Sequence, residues 1–286
     1  MRPSRFLTVV AVLAGATACG QAQANHTSAP PDSTAPSPAV ELAASATRTS
    51  HAKSARVEMR MRLPVPANGS TVTAVATGVV AFRDRSSDLA MRMTFPGLGV
   101  MRMHELTVWP VVYMRSPLFA GMLHGKQWVK LDMARIEREH GIDLNALTNT
   151  SSNDPTEMLQ TLENESDSLT NLGAATVRGV PTLHYHAVLD LDKAAKNAPA
   201  SVRAAVRRSN ARLGAILGID RMPMDVWIGR DGLVRRIAYG LPMPGAGSVT
   251  MQVRYDMFDF GVPVHVTAPP AREVAVLPAA ATAGIQ

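Results

Sequence analysis

The chain contains a single cysteine, Cys19, so it has no second thiol with which to form an internal disulfide. Aromatic residues make up only 5% of the sequence, whereas methionine occurs 16 times. The apolar run of the leader, Phe6 to Leu13, is far shorter than the about 20 residues that a membrane-spanning helix needs. The fold must therefore be stabilised by an apolar core without covalent cross-links.

The sequence has only a small excess of positive over negative charge. The formal net charge of +6 includes Arg2 and Arg5 of the leader, and charged residues are only 18% of the chain. No run of Lys and Arg with interleaved aromatic residues occurs, which argues against a nucleic-acid partner. A small basic excess fits weak attraction to anionic lipid headgroups better.

The leader has the layout of a secretory signal peptide. Basic Arg2 and Arg5 precede the apolar run, and the small residues 14–18 lead directly to Cys19. A cysteine at this place, followed by Gly20, matches the bacterial lipobox except that Ala16 stands where leucine is usual. We therefore expect cleavage after Ala18, a diacylglyceryl group on Cys19, and attachment to the extracytoplasmic face of the cell membrane. The alternative is ordinary cleavage, which would leave Cys19 lost or free.

Composition divides the rest of the chain. Residues 1–18 are predicted to be the signal peptide, and 19–40 a lipidated, disordered tether rich in Ser and Pro. Residues 41–265 are predicted to form a single lipid-binding-like domain. Residues 266–286, rich in Ala and Pro, are predicted to be a disordered tail.

Period-two alternation dominates the domain and predicts strands. Val57, Met59, Met61 and Leu63 alternate with charged residues, and Leu89 to Phe95 alternates in the same way. Further strands are predicted at 71–83, 100–114, 127–132 and 249–258, and two strand segments broken near Gly179 are predicted over 176–190. A hairpin is predicted over 225–239 around the turn dipeptide Asp231-Gly232. Helices are predicted at 40–51, 133–140, from Asp154 to about Leu162, and at 201–217. The sum is an α+β domain with a largely antiparallel sheet.

Methionines spaced two apart are the most unusual local feature, because such residues share one face of a strand. Four pairs occur: Met59/Met61, Met91/Met93, Met101/Met103 and Met222/Met224. Three interpretations stay open. The methionines fill an ordinary core, they line an adaptable wall for a greasy ligand, or their thioethers, with His104 or His184/His186 nearby, bind Cu(I).

No sequence pattern of an enzyme is found. The chain lacks a G-x-S-x-G elbow, an H-E-x-x-H pair, a phosphate-binding loop and a G-x-G-x-x-G turn. His184 and His186 are expected to lie on a polar strand face, because zinc would need more ligands than the sequence places there. We predict a protein that is not an enzyme and needs no cofactor.

Several segments resemble a known family. They are the lipobox with its tether, KSAR at 53–56, VYMRSP at 112–117, GKQWVKLD at 125–132, VRGVPTLHY at 177–185 and DVWIGRDGLVRR at 225–236. Together they are similar to the actinobacterial LppX/LprG-type lipoproteins, over about residues 41–259. The resemblance implies a curved antiparallel β half-barrel with helices on its concave side, enclosing an apolar cavity. It also implies transport of lipids or lipoglycans through the cell envelope.

Strand alternation, together with the 201–217 helix, supplies the residues expected to line such a cavity: Val57, Met59, Met61, Leu89, Met91, Met93, Met103, Val112, Met114, Leu131, Leu213, Leu217, Val226 and Ile228. Leu213 and Leu217 would belong to a helix that opens the cavity. The expected partners are the membrane, held through Cys19, a lipid or glycolipid ligand, and an envelope transporter. The alternative is a surface-interaction or sensory lipoprotein with a packed sheet and no lipid cargo.

Overall fold

The computed structural model describes residues 37–65, 69–119, 121, 123–135, 169–197, 203–243 and 249–276. The helices among them are α1 (Pro38–His51), α2 (Leu191–Asn197) and α3 (Arg203–Leu217). The strands are β1 (Ser54–Val65), β2 (Ser70–Ala81), β3 (Ser86–Phe95), β4 (Gly99–Val108), β5 (Val111–Arg115), β6 (Trp128–Asp132), β7 (Leu169–Val177), β8 (Val180–Asp190), β9 (Arg221–Gly229), β10 (Val234–Pro242), β11 (Thr250–Phe258) and β12 (Val274–Val276). In this part of the chain, no helix has the length and apolar character needed to cross a bilayer.

All twelve strands belong to one open sheet, in the order β12-β6-β5-β4-β3-β2-β1-β11-β10-β9-β8-β7. Neighbouring strands are antiparallel except β12, which pairs parallel with β6. Most neighbours are also consecutive in sequence, so hairpins build most of the sheet. The long-range pairing of β1 with β11 joins the two series of hairpins into one layer.

Helix α1 packs on one face of this sheet, which we call the core face. Its N-terminus is capped by Ser37, whose Oγ accepts a hydrogen bond from the backbone N–H of Val40 at 3.4 Å, and Pro38 occupies the first turn. Leu42 and Ala46 are fully buried in the main hydrophobic cluster. At the other end of the helix, Thr49 Oγ1 accepts a hydrogen bond from the N–H of Val234 at 2.9 Å.

The sheet curls toward α1. Leu89 on β3 and Tyr185 on β8 belong to the same buried cluster, although six strand spacings separate their strands. In a flat sheet these strands would lie about 29 Å apart. A helix is only about 10 Å across and cannot fill that gap alone. The predicted α+β class, with a curved antiparallel sheet and a helix on its concave side, is confirmed.

Tyr185 ties α1 to β8. Its hydroxyl donates a 2.7 Å hydrogen bond to Glu41 Oε2, and the residue is only 1% exposed. Burial and this hydrogen bond raise the pKa of Tyr185 well above its ordinary value. The folded state therefore keeps the phenolic proton at a pH where the unfolded chain has lost it, so the stabilisation by Tyr185 decreases as pH rises above about 10.

Tyr185→Phe is expected to lower the free energy of unfolding by about 1–3 kcal/mol near neutral pH, because it removes a hydrogen bond to a carboxylate. The difference from the wild type should narrow between about pH 8 and pH 11, since the variant has no phenol to ionise on unfolding. Urea unfolding followed by circular dichroism measures both effects. A difference that stays constant over this range would contradict the role given to the Tyr185 proton.

Four parts of the fold differ from the sequence prediction. Strand β7 begins at Leu169, seven residues before the strand predicted from 176. The segment 100–114 forms two strands, because Pro110, which has no N–H to donate, lies in the turn between β4 and β5. Helix α2 was not predicted. The tail predicted to be disordered from 266 instead includes β12, because Val274 packs against Leu106 and Trp128 in a second small cluster.

Other predicted elements lie wholly or partly outside the described residues. Only residues 133–135 of the helix predicted at 133–140 are described, and they are helical. The helix predicted from Asp154 and the anchor residue Cys19 are outside the described ranges and stay predictions.

Candidate functional site

The strand register brings the predicted methionines together on the core face. Paired residues of adjacent strands project from the same side of a sheet. One row across β1, β2, β3 and β4 reads Met59, Ala76, Met91, Met103, and the next row reads Met61, Ala74, Met93, Met101. Six of the chain's 16 methionines therefore lie in two adjacent rows.

Small residues of β2 form a floor between these methionines. Ala74, Ala76 and Gly78 follow one another on the core face of β2, with longer side chains of β1 on one side and β3 on the other. This strip is recessed between longer side chains, and Ala74 and Ala76 are covered, with only 4% and 1% of their surface exposed. The floor extends over four residue steps, which is about 14 Å. We call this feature the methionine trough.

Burial changes along the trough. At the end near α1, Val57, Leu89 and Met257 are at most 4% exposed and belong to the main cluster. Further along the strands, Met61 and Met93 are only half-buried. Beyond them, at the turn between β3 and β4, Leu98 is 88% exposed. One end of the face is thus closed by packing, and the other leads to an exposed apolar turn.

The strand residues predicted to line a cavity all lie on this one face. Met59, Met61, Met91, Met93 and Met103 border the trough. Val112, Met114 and Leu131 extend the same face over β5 and β6. Val57, Leu89, Val226 and Ile228 are instead part of the packed cluster with α1. Leu213 and Leu217 belong to α3, but their side chains lie outside what the structure describes.

Sequence reasoning missed the floor of the trough and one methionine of its wall. Ala74, Ala76 and Gly78 alternate along β2, but the significance of this pattern depends on which residues oppose them. The sequence pairs Met101 with Met103 but does not predict Met101 in the cavity, although it completes the row with Met61 and Met93. The pairing register supplies the missing signal.

The opposite side of the sheet, which we call the outer face, is basic. Its arginines alternate with the methionines along β1, β3 and β4: Arg56, Arg60, Arg62, Arg92 and Arg102. Two carboxylates at the β1–β11 junction neutralise part of this charge. Glu58 accepts a 2.6 Å hydrogen bond from Arg60 Nε, and this contact raises the pKa of Arg60.

Asp256 is the other carboxylate of this junction and is 1% exposed. It binds Arg236 through two hydrogen bonds, Nε to Oδ1 at 2.6 Å and Nη2 to Oδ2 at 2.7 Å. Arg254 Nε lies 3.5 Å from Oδ1 of the same carboxylate, a distance of ion pairing rather than of a strong hydrogen bond. The buried charge is therefore paired, as burial requires.

The histidines do not join the methionines. His104 lies on the outer face, where its Nε2 is 2.7 Å from Asp88 Oδ1. His184 and His186 both contact Asp225 Oδ1, at 3.0 and 3.1 Å, and His184 stacks on Trp227. Each of these three histidines is thus engaged by a carboxylate rather than by a methionine sulfur. Among the described residues, no group of three His, Cys, Asp or Glu side chains is placed to hold a metal ion.

No protein-family model matches the chain, and no curated protein matches it by sequence. Among solved structures, it is similar to the lipoprotein LppX from Mycobacterium tuberculosis, with 13% identity and a TM-score of 0.43 over 80% of this chain and 97% of that one. It is also similar to LprF from Mycobacterium bovis, with 15% identity and a TM-score of 0.41 over 81% of this chain and 96% of that one.

Proposed function

We propose that this chain is a lipoprotein of the cell envelope that is anchored through Cys19, binds the acyl chains of a lipid or glycolipid in the methionine trough, and carries the lipid between membranes. The observation that carries the proposal is the trough itself. Its floor is small, its walls are methionine, and its burial decreases toward one end.

Methionine suits a carrier of variable cargo. Its side chain is unbranched and polarisable, so it adapts to acyl chains of different length and shape. Each methylene moved from water into an apolar site gains about 0.8 kcal/mol, and a lipid leaving a bilayer loses a similar amount. Exchange between membrane and trough is therefore close to neutral, which allows both loading and release.

The exposed turn at the open end supports loading from a membrane. Phe95 pairs with Gly99 at the end of the β3–β4 hairpin, and Leu98 and Val100 beside it are 88% and 49% exposed. An exposed apolar turn near basic side chains favours contact with an anionic bilayer surface. A lipid would then enter the trough from the end where the methionines are half-buried.

The experiment is a transfer assay between vesicles. The full chain carrying Cys19→Ala is added to donor vesicles that contain phosphatidylglycerol with a self-quenching fluorophore on its acyl chain, together with unlabelled acceptor vesicles. We expect the protein to increase the rate of dequenching about tenfold or more over vesicles alone, because a carrier avoids the aqueous transfer of the chain. A rate equal to that of vesicles alone would contradict the carrier function.

The anchor at Cys19 is tested with the same Cys19→Ala variant. In a cell fractionation, the wild-type chain should remain with membranes after a high-salt wash, whereas the Cys19→Ala chain should be released, because a diacyl anchor binds far more firmly than surface charge. Equal partition of the two chains would remove the anchor from the account and leave the trough untouched.

A further inference from the structure

A pocket of about 960 Å³ lies on the outer face of the sheet, opposite the side chains of the methionine trough. Its strand lining comes mainly from outer-face positions such as Val75, Ala90 and His104, while Met91 and Met103 also border it. Ser116, Pro117, Leu123, Lys126 and Gln127, between β5 and β6, supply a second wall. The volume is within the range of about 300–1,000 Å³ that is usual for small-molecule sites.

Four cationic side chains line this pocket: Arg92, Arg102, Arg115 and Lys126. Arg92 and Arg102 are directly opposite each other in the β3–β4 pair, and both are exposed. No ion pair joins either of them to a carboxylate among the described residues. Like charges that face each other across strands are destabilising. An anion bound between the two guanidinium groups would remove that repulsion.

The other two cations are held in place by the fold. Arg115 lies over the Trp128 ring at 5.2 Å and donates a 3.3 Å hydrogen bond to Gln127 Oε1. Lys126 Nζ donates a 2.8 Å hydrogen bond to the carbonyl oxygen of Val274. Asp88, an acid of the same face, is engaged by His104. No carboxylate is among the described residues that line the pocket, so the lining keeps its positive charge.

Part of the remaining lining is apolar. Val75, Ala90, Pro117 and Leu123 border the pocket, and Leu123 is only 3% exposed. An inorganic anion would bind to the cationic side chains but would leave the apolar wall exposed to water. The planar fork of arginine matches phosphate and carboxylate oxygens. We infer that the outer-face pocket binds a single-chain anionic amphiphile, whose phosphate or carboxylate head lies between Arg92 and Arg102 and whose acyl chain covers the apolar wall.

Photo-crosslinking tests this site separately from the trough. The full chain carrying Cys19→Ala is irradiated with a lysophosphatidate that bears a diazirine on its acyl chain, and tryptic peptides are analysed by mass spectrometry. We expect label on the peptide 116–126, which contains Pro117 and Leu123 of the pocket wall. Arg92→Ala with Arg102→Ala should lower this labelling about tenfold or more, because charge-assisted hydrogen bonds from both guanidinium groups are lost.

The matched control is Arg83→Ala with Arg230→Ala, which removes the same charge from exposed turns outside the pocket. Its labelling of the peptide 116–126 should equal that of the chain that carries only Cys19→Ala. Equal labelling in the pocket variant and the control would overturn the inference. So would equally strong labelling by a neutral diazirine monoacylglycerol, or loss of labelling when inorganic phosphate equimolar with the probe is added, since the site would then not require an anionic amphiphile.

The result does not depend on the trough. Label on peptides of β1 that carry Met59 or Met61 reports lipid on the core face, because β1 does not line the outer-face pocket, and it should be unaffected by the outer-face arginines. Failure of the pocket therefore leaves the proposed carrier function standing, and failure of the trough leaves the pocket standing.

Discussion

Asp256→Ala should lower the free energy of unfolding by about 3–5 kcal/mol, because it leaves the guanidinium of Arg236 without its carboxylate in a largely buried place. Arg236 is 18% exposed and Asp256 is 1% exposed, and two short hydrogen bonds join them. Water cannot readily replace the lost partner there. The nearby Arg254 makes the loss worse, since it too lies beside the missing charge.

Two further variants test whether the loss of stability comes from the buried ion pair. Asp259→Ala removes an exposed carboxylate just beyond the same strand, 3.5 Å from Arg56 with both side chains more than half exposed. It should cost only about 1–2 kcal/mol, because the exposed ion pair contributes little and the remainder comes from placing Ala at a φ of 48°. Asp256→Leu combined with Arg236→Met removes both buried charges and should cost much less than Asp256→Ala alone. Urea unfolding followed by circular dichroism gives all three values. Equal effects of Asp256→Ala and Asp259→Ala would contradict the buried ion pair.

The second large effect concerns lipid binding. Met61 and Met93 oppose Ala74 from the two sides of the trough, so Met61→Trp with Met93→Trp should fill the space above the floor. We expect the amount of lipid that co-purifies with the chain to fall at least about tenfold, because each buried methylene of the cargo contributes about 0.8 kcal/mol and several would be displaced. Organic extraction and quantitative mass spectrometry measure lipid per protein.

The controls separate blocking from misfolding. Arg62→Trp with Thr94→Trp places the same indoles on the same two strands, but on the outer face, and should leave the lipid content unchanged. Met61→Leu with Met93→Leu preserves volume and apolar character and should also retain lipid. Loss of lipid in the outer-face control, or full lipid content in the folded tryptophan variant of the trough, would argue against the trough as the site.

Local patterns predicted much of this fold, and the reason is visible in β1. Met59, Met61 and their arginine neighbours alternate strictly, and alternation is a local property that survives without knowledge of partners. The same applies to the hairpin around Asp231-Gly232, where the turn dipeptide determines the connection. These local signals are sufficient to predict that the methionines of each strand share one face, without knowledge of the strand order in the sheet.

What the sequence could not predict depends on pairing between distant segments. The trough exists because Ala74 of β2 lies between Met61 and Met93, and this register follows from the whole sheet rather than from any one strand. Strand β12 has three residues in an Ala- and Pro-rich tail, and its parallel pairing with β6 has no local signal. The opposed Arg92 and Arg102 likewise become neighbours only through the β3–β4 register.

Native mass spectrometry tests the central claim most directly. The full chain carrying Cys19→Ala is purified without detergent from a lipid-containing bacterial host, and its intact mass is measured. The account predicts a major species heavier than the polypeptide by the mass of a lipid, which converts to the bare mass when the lipid is extracted. A bare polypeptide that remains bare after incubation with phospholipids and glycolipids would contradict it, and the methionine face would then be an interaction surface or a simple core.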